Sequence, residues 1–339
     1  MLTPDEFDTF TDAYTAVLRR ILTDPEYETV GRGKDGLEIP NISFRLTEPT
    51  RRTPWLAKRR SNIAFNYAEL LWYVGGRADV ATISYYAPRL AKLSTDGTTL
   101  TGTAYGPRLF GPGGQDGLSQ FDRCIKALRQ DPDSKRAAMV IMHPHEPIGV
   151  DNPDVACTLA LQFMLRGGRL HATGYMRGND AVIGLLGDTF AFTMIQEIAA
   201  RHLGVELGTY THHVGSMHIN VLDRDKVTAI LAEADSRPAP QFPAPPMPGL
   251  SDADLEVLLD WESALRTGDS ELTAETATEL PLSDYWQQVL LIFQAYQQIQ
   301  AGHPVTADIT AALTPAHRWL LAARWPDRIP SPEPAAQPS

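Results

Sequence analysis

A cysteine, an arginine and an aspartate occur in the middle of the sequence in an order that could support covalent catalysis. Cys157 opens the apolar stretch Cys157-Thr158-Leu159-Ala160-Leu161-Gln162-Phe163, and Arg177 begins Arg177-Gly178-Asn179-Asp180. The intervening Gly167-Gly168 pair predicts a tight hairpin that brings the two ends together. An arginine beside a cysteine stabilises the thiolate, which is the nucleophilic form. These residues predict a cysteine nucleophile, although a lone cysteine on an apolar strand is more often core packing.

A carboxylate lies inside a segment that should otherwise be a buried helix. Residues 62–74 are mostly apolar, contain Glu69 and are followed by the helix-ending pair Gly75-Gly76. Burying a carboxylate is costly, so Glu69 either pairs with a cation or transfers protons with a raised pKa. A cysteine–histidine hydrolase is a rival use of the same thiol, but Thr158 occupies the position after Cys157.

The bulk composition is that of a globular enzyme. The chain has 339 residues, 43% hydrophobic and 21% charged, with a formal net charge of −11. That charge argues against a general nucleic-acid-binding surface, although a local cluster of cations could still hold a phosphate. The two cysteines have no metal-ligand spacing, and neither a signal peptide nor a membrane-spanning run is visible. We therefore expect a cytoplasmic protein with no metal, no membrane and no nucleic-acid partner.

The elements that must position these residues follow from hydrophobic spacing and turn residues. The sequence predicts helices over 4–22, 62–74, 119–130 and 189–203 and strands over 136–142, 157–165 and 169–176. Six prolines in residues 237–249 indicate a semi-rigid connector, and helices are predicted beyond it at 251–266, 283–300 and 314–325. We expect a catalytic domain over 1–236, the connector, a helical extension over 250–326 packed on that domain, and a flexible tail over 327–339.

Segments in the same order resemble motifs of the thymidylate synthase family over roughly residues 28–222. Besides the cysteine and arginine segments, these are Glu69-Leu70-Leu71-Trp72-Tyr73, Ala104-Tyr105-Gly106-Pro107-Arg108, Asp131-Pro132-Asp133-Ser134-Lys135-Arg136 and Gly215-Ser216-Met217-His218-Ile219-Asn220. The resemblance implies an α/β fold with a mixed sheet flanked by helices, a homodimer, and 5,10-methylenetetrahydrofolate as co-substrate.

The resemblance also implies a role for each matching residue. Cys157 would attack C6 of a pyrimidine nucleotide, Glu69 would organise water and proton transfers, and Tyr105 would lie in the active site. The phosphate would be bound by Arg177, by Lys135 and Arg136 from the partner subunit, and by Arg32 or Lys34. Gln162, Gly178, His218 and Asn220 would lie around the sugar and base, and Asp180 would bind the pterin of the folate.

One departure from the family concerns the base. Asp188 in Gly184-Leu185-Leu186-Gly187-Asp188 replaces the family asparagine that serves O4 and N3–H of uracil. A carboxyl group can accept from the N4 amino group of cytosine and share a proton with N3, whereas it would oppose another acceptor at O4 of uracil. This resembles the deoxycytidylate hydroxymethylase branch. The alternative is that Asp188 caps a helix starting near Thr189.

Further departures concern the sugar and the product. Lys135, Gly178 and Asn220 replace arginine, serine and tyrosine, and the smaller groups leave room for a ribose 2′-hydroxyl. We therefore expect CMP as substrate, as in cytidylate hydroxymethylases of nucleoside-antibiotic pathways such as that of mildiomycin. The family's sealing tail is replaced by the ending Glu333-Pro334-Ala335-Ala336-Gln337-Pro338-Ser339, which favours water over hydride and a hydroxymethyl product. The alternatives are a dCMP hydroxymethylase, a methylating enzyme and a catalytically silent nucleotide-binding homologue.

Overall fold

A mixed β-sheet forms the centre of the protein. The computed structural model describes residues 3–31, 34–146 and 152–329. Its strands are β1 (Asp5–Phe7), β2 (Tyr27–Gly31), β3 (Lys34–Leu46), β4 (Ala138–Val140), β5 (Thr158–Arg166), β6 (Arg169–Met176), β7 (Asn179–Asp180) and β8 (Glu206–Asn220). The order is β1-β3-β8-β6-β5-β4, with β2 paired to β3 and β7 to β8. Strands β6 and β8 are parallel, whereas β5 and β6 are antiparallel.

Helices flank this sheet, which confirms the predicted α/β class. They are α1 (Phe10–Thr23), α2 (Ile63–Val74), α3 (Val80–Tyr86), α4 (Gly106–Leu109), α5 (Gln120–Gln130), α6 (Gly184–Leu203), α7 (Arg224–Ser236), α8 (Asp252–Thr267), α9 (Ala274–Glu279), α10 (Asp284–Gln300), α11 (Ala307–Ala312) and α12 (Pro315–Arg324). The prediction of a helix from residue 4 was wrong at its start. Residues Asp5–Phe7 pair with Phe44–Leu46 instead, and the Thr9 side chain caps α1.

The β5–β6 hairpin confirms the turn predicted from two adjacent glycines. Gly167 and Gly168 have φ of +56° and +74°, the left-handed region that glycine enters without steric cost. Arg166 pairs with Arg169 at the turn. At the open end, the Arg177 N–H donates to the carbonyl of Cys157 at 2.8 Å. The turn therefore sets the register that aligns these two residues.

The connector and the C-terminal helices pack against the rest of the chain. Residues 237–249 contain no helix or strand, yet Met247 is fully buried and its N–H donates to Glu197 on α6. The Tyr86 hydroxyl donates to Glu262 of α8, and the Tyr296 hydroxyl of α10 donates to the Tyr85 carbonyl. The three predicted C-terminal helices correspond to α8, α10 and α12. Of the predicted tail over 327–339, residues 330–339 lie outside the described residues, whereas Ile329 is described and buried.

Candidate active site

Cys157 and Arg177 come together at the open end of the hairpin. Cys157 is exposed at the residue before β5, and Nη2 of Arg177 lies 3.8 Å from its Sγ. The guanidinium is anchored because it donates to the carbonyls of Ala156 and Val155 at 2.8 and 3.1 Å. A fixed positive charge beside the sulfur stabilises the thiolate, and exposure leaves the sulfur accessible to a substrate. This arrangement can perform nucleophilic chemistry.

Glu69 is a buried carboxyl group on α2 that titrates near neutral pH. Burial raises the pKa of Glu69 from 4.5 to about 7, although the charge of Arg89 and a hydrogen bond from Tyr73 act in the opposite direction. The Tyr73 hydroxyl donates to Oε1 at 3.3 Å. A carboxyl group with this pKa can both accept and donate a proton at neutral pH. Of the two roles left open by the sequence, proton transfer is therefore favoured over a purely structural ion pair.

Asp188 lies on α6, four residues after Gly184 and directly after Gly187. A Cβ at Gly187 would lie 3.2 Å from Oε2 of Glu69, so the glycine allows α6 to approach Glu69 closely. Burial and the charge of Glu69 raise the pKa of Asp188 well above its ordinary value, against a hydrogen bond from Asn179. Both effects favour the protonated form of Asp188. The capping alternative was wrong, because α6 begins at Gly184 and Ile183 occupies the N-cap position.

Tyr105 is a buried residue within electrostatic range of Cys157 and of Asp188. It is buried and stacks on Tyr73 and Phe192, with ring centroids 5.2 and 6.2 Å apart. Burial raises its pKa well above 10, and the charges of Asp188 and Cys157 act in the same direction. Because these charges act on one hydroxyl, Tyr105 lies within electrostatic range of both groups. The structure thus brings Tyr105 into the cluster predicted from the sequence.

The residues expected around the sugar and the folate lie on β7 and β8. Asp180 pairs with His218 across these strands, and both side chains are half-buried. Oδ1 of Asp180 accepts from the N–H groups of Val182 and Ile183 at 2.8 and 3.0 Å, and Oδ2 accepts from Nδ2 of Asn220 at 2.9 Å. Asp180 and Asn220 therefore form one unit, a contact that motif reading did not predict.

Gly178 has room for a larger side chain. A Cβ at this position would lie 3.6 Å from the Ser216 carbonyl oxygen and 3.9 Å from its Cβ, which are ordinary van der Waals contacts. Glycine is therefore not required by the backbone here. It leaves open space next to Arg177.

Gln162, Lys135 and Arg136 are not brought into the cluster within one chain. Gln162 donates to the Lys135 carbonyl at 3.1 Å and accepts from the Tyr175 hydroxyl at 3.2 Å. It lies on the face of β5 opposite the buried Leu161 and Phe163. Lys135 and Arg136 are exposed and lie near Gln162, about 16 Å along the strand from Cys157. Their predicted role in a partner subunit's site stays a prediction.

The structure describes only one of the two residues predicted to bind the phosphate near the start of β3. Arg32 lies outside the described residues. Lys34 is exposed at the start of β3, two residues before Gly36, which pairs with Asn220. Lys34 therefore lies at the sugar-side edge of the sheet, near the unit formed by Asp180 and Asn220.

The structure adds site residues that the sequence reading missed. Asn179 and His212 lie behind Asp188, and the cations Arg59, Arg89 and Lys226 lie within electrostatic range of Asp180 or of each other. A polar residue next to Asp180 in a matched motif was a possible signal for Asn179. His212 had no such signal, because nothing in the pattern Tyr210-Thr211-His212-His213 separates a buried histidine from a surface one.

The comparisons with known proteins agree with this geometry. Residues 12–254 match the family described as "Thymidylate synthase". The chain belongs to the thymidylate synthase family. A deoxyuridylate hydroxymethyltransferase of Bacillus phage SP01 is 31% identical over 245 residues, 67% of this chain and 63% of that protein. A similar enzyme of Delftia phage PhiW-14 is 28% identical over 205 residues, 57% of this chain and 56% of that protein.

A provisionally named thymidylate synthase of Methanocaldococcus jannaschii is 37% identical over 218 residues, covering 63% of this chain and 88% of that protein. The chain thus spans less than two thirds of the length of the phage relatives. The family match continues beyond residue 236, through the connector, to residue 254. The family uses methylenetetrahydrofolate as co-substrate and a nucleotide as acceptor.

The described ranges contain neither a candidate metal site nor a candidate membrane-spanning helix. Across residues 3–31, 34–146 and 152–329, no group of three or more His, Cys, Asp or Glu side chains is arranged to hold a metal ion. Within the same ranges, no helix has the length and apolar character needed to cross a membrane.

Proposed function

We propose that this protein transfers a one-carbon unit from 5,10-methylenetetrahydrofolate to C5 of a cytosine nucleotide, CMP, and adds water to give 5-hydroxymethyl-CMP. The observation that carries the proposal is Asp188, a carboxyl group within electrostatic range of Glu69 whose protonated form is favoured, at a position where the family has asparagine. The phage relatives named as hydroxymethyltransferases of deoxyuridylate support the hydroxymethyl product. The cytosine base and the ribose are the parts specific to this proposal.

A neutral Asp188 matches the edge of cytosine. Its O–H can donate to N3, and its carbonyl oxygen can accept from the N4 amino group. Sharing a proton with N3 withdraws electrons from the ring and makes C6 more electrophilic. The Cys157 thiolate then forms a bond to C6, and electron density moves to C5, which becomes the carbon nucleophile. Arg177 holds the thiolate in position before this step.

The folate would supply a one-carbon unit at the oxidation level of formaldehyde. Its carboxylates are anionic, and several cationic side chains of the described residues fit them. Nε of the buried Arg59 has no hydrogen-bond partner within the described ranges. Burial and the charge of Arg59 lower the pKa of Lys226. Burial and the charges of Arg59 and Arg60 lower the pKa of Arg324. This crowding of cations beside Asp180 suits the carboxylates of a folate. Arg324 belongs to α12, so the C-terminal extension contributes to this region.

Glu69 would control the final steps. When the C5 proton leaves and the bond between the one-carbon unit and the folate nitrogen breaks, tetrahydrofolate would depart and the nucleotide would carry an exocyclic methylene group. A water molecule would then add to that carbon. Glu69 accepts a proton from the water as the new C–O bond forms. The electron pair returns through the ring, the bond between Sγ of Cys157 and C6 breaks, and the thiolate is regenerated. The C5 methylene and one water thereby become a hydroxymethyl group without any oxidant or reductant.

The phosphate and the ribose complete the proposed substrate. Arg177 and Lys34 would bind the phosphate from one chain, and Lys135 and Arg136 would come from a second copy in a homodimer. The sheet face that carries Gln162 supports such a contact, because Val140 is 55% exposed and lies on that face through its pairing with Ala160. The space beside Gly178 suits a ribose 2′-hydroxyl. The product would suit modified-nucleoside pathways such as antibiotic biosynthesis.

Release of tritium from [5-³H]CMP in the presence of methylenetetrahydrofolate tests the proposal. We expect release that depends on folate, accompanied by tetrahydrofolate and 5-hydroxymethyl-CMP. Dihydrofolate with 5-methyl-CMP would instead indicate a methylating enzyme. CMP binding without tritium release would indicate a silent homologue.

A further inference from the structure

A buried carboxylate joins two chain segments that each lead to an active-site residue. Asp154 is only 2% exposed. Its Oδ2 accepts from the N–H groups of Thr101 and Gly102, both at 2.8 Å, and its Oδ1 accepts from the Thr103 N–H at 2.8 Å. Oδ1 also accepts from the Thr103 hydroxyl. Four donors from three consecutive residues therefore bind one carboxylate, and none of the steps proposed above uses it.

The two segments are also in direct backbone contact. A Cβ at Gly102 would lie 2.1 Å from the Asp154 carbonyl oxygen and 2.7 Å from the Val155 carbonyl carbon, so only glycine fits between them. The Thr101 hydroxyl donates to the Asp154 carbonyl at 3.4 Å. An ionised carboxylate only accepts hydrogen bonds and has about four acceptor sites, so this set of donors satisfies it.

On one side of this junction, the chain continues for three residues to the nucleophile. The carbonyls of Val155 and Ala156 accept from the Arg177 guanidinium at 3.1 and 2.8 Å, and the Cys157 carbonyl accepts from the Arg177 N–H at 2.8 Å. Each residue from Asp154 to Cys157 is therefore bound, the first through its carboxylate and the other three through Arg177.

On the other side, Thr103 leads to the aromatic and acidic groups of the site. Its carbonyl accepts from the Tyr105 N–H at 3.0 Å and from the Tyr73 hydroxyl at 3.3 Å. The same hydroxyl lies 3.3 Å from Oε1 of Glu69, and the rings of Tyr73 and Tyr105 stack with centroids 5.2 Å apart. The position of Thr103 therefore sets that of Tyr105 and, through Tyr73, influences the surroundings of Glu69.

The thiol and the proton-transfer group must keep a fixed separation, because both act on one pyrimidine ring. A displacement of about 1 Å can lower a rate by about a hundredfold. We propose that Asp154 is a positioning residue that sets the separation between the Cys157 thiol and Glu69 by fastening the two segments together. This inference rests on the proposed function for its reaction, but not on the identity of the base or the sugar.

The test measures kcat and KM for the nucleotide in the full-length protein, together with the rate at which iodoacetamide alkylates Cys157. Asp154→Asn keeps the shape of the side chain but places an amide NH₂ group against backbone donors. Thr103→Val removes the hydroxyl donor at similar volume, and Thr103→Ser retains it.

Glu197→Gln is the matched control. Like Asp154, Glu197 is a buried carboxylate that joins separate segments, since it accepts from the Met247 N–H at 2.7 Å and pairs with Arg52. It lies about 13 Å along α6 from Asp188. The control should lower the unfolding temperature and leave kcat, KM and the alkylation rate within about twofold of the wild type.

We expect Asp154→Asn to lower kcat by about ten- to a hundredfold with little change in KM, because the nucleotide still binds while the reacting groups are misplaced. Alkylation of Cys157 should also slow, since the segment that anchors Arg177 beside the sulfur is loosened. Thr103→Val should lower kcat by a smaller factor, and Thr103→Ser should stay within about twofold of the wild type.

Two outcomes would overturn the inference. One is a loss of stability in Asp154→Asn with kcat and the alkylation rate unchanged, because the carboxylate would then only stabilise the fold. If Asp154→Asn does not fold, equal kcat in Thr103→Val and Thr103→Ser would overturn it. A wild type that releases no tritium from any pyrimidine nucleotide contradicts the proposed function, and the alkylation rates of the variants then decide this inference alone.

Discussion

The two ends of the active-site cleft differ in how completely one chain builds them. At the base end, Asp188 on α6 lies within electrostatic range of Glu69 on α2, and Gly187 allows α6 to approach Glu69 closely. At the phosphate end, Lys34 is exposed, and Lys135 and Arg136 lie far along β5 from Cys157. One chain therefore brings together the groups proposed to recognise the base, whereas it does not bring together the cations proposed to bind the phosphate.

The largest effect is expected for Cys157, the proposed nucleophile. Cys157→Ala should lower kcat/KM for CMP by at least about a thousandfold, because the covalent bond to C6 cannot form. The release of tritium from C5 measures this loss. Since Cys157 is exposed, the unfolding temperature should change little.

Cys124→Ala is the matched control for this prediction. Cys124 is buried on α5, and burial raises its pKa to about 12, so its thiol is inert at neutral pH. The variant should keep full activity. Equal losses in the two cysteine variants would contradict the assignment of Cys157.

Glu69→Gln should lower kcat by a factor of about 10²–10⁴, the usual range for losing a general acid–base group. If the carboxylate form accepts the proton, kcat/KM of the wild type rises with pH and levels off above about 7, the pKa of Glu69. The variant should lack this rise. A pH–rate profile of both proteins tests the prediction, and an unchanged rise in the variant would contradict it.

The same pKa predicts a change of stability with pH. The folded state binds more protons than the unfolded state between pH 4.5 and about 7, so the free energy of unfolding falls as the pH rises through this range. The full shift corresponds to roughly 3 kcal/mol. Denaturant titrations at pH 5 and 8 should show this loss in the wild type relative to Glu69→Gln. Parallel behaviour of the two proteins would argue against a buried, proton-binding Glu69.

Asp188→Asn should move preference from CMP toward UMP by about a hundredfold, because it restores the amide that would donate to O4 of uracil and accept from its N3–H. The ratio of kcat/KM for the two nucleotides measures the change. An unchanged ratio would remove base recognition from this end of the cleft. Thr189→Ala is a nearby control, since Thr189 is buried on the same helix.

At the phosphate end, the double variant Lys135→Ala/Arg136→Ala should raise KM for CMP by about tenfold with little change in kcat. The expected effect is smaller because these side chains are exposed. Mixing this variant with Cys157→Ala should restore activity at low CMP if the cations act on the partner subunit's site. Recovery would be absent if they act within their own chain.

The smallest effect is expected at Gly178. Gly178→Ser should lower the preference for CMP over dCMP by a few-fold, because the new side chain fills space proposed for the 2′-hydroxyl. The Cβ meets ordinary contacts at 3.6 and 3.9 Å, so stability should not change. Rates with CMP and dCMP in competition measure the effect, and an unchanged ratio would assign that space to something else.

The two ends also differ in how well the sequence predicts them. Cys157, Arg177 and Glu69 were found because their chemistry is unusual for their surroundings: an arginine across a short hairpin, and a carboxylate in an apolar helix. The Gly167-Gly168 turn was predictable for the same local reason, since its backbone conformation favours glycine. Local patterns therefore identified the candidates for the nucleophile and the proton-transfer group.

Features that depend on tertiary contacts were missed. Helix α6 begins at Gly184 rather than near residue 189, because close approach to Glu69 and Asn179 favours glycine at positions that otherwise weaken a helix. Residues Asp5–Phe7 form a strand because β3 is available as a partner, which local spacing cannot reveal. The hydrogen bonds from residues 101–103 to Asp154 join segments that lie 51–53 residues apart in the chain. The position of Gln162 on the opposite sheet face follows from its strand pairing and not from its motif.

The most direct measurement is mass spectrometry of the products after incubation with methylenetetrahydrofolate and an equal mixture of CMP, dCMP, UMP and dUMP. The account predicts that CMP gains the mass of one CH₂O unit and that tetrahydrofolate, not dihydrofolate, accumulates. Modification of UMP or dUMP in preference to CMP would contradict the role assigned to Asp188.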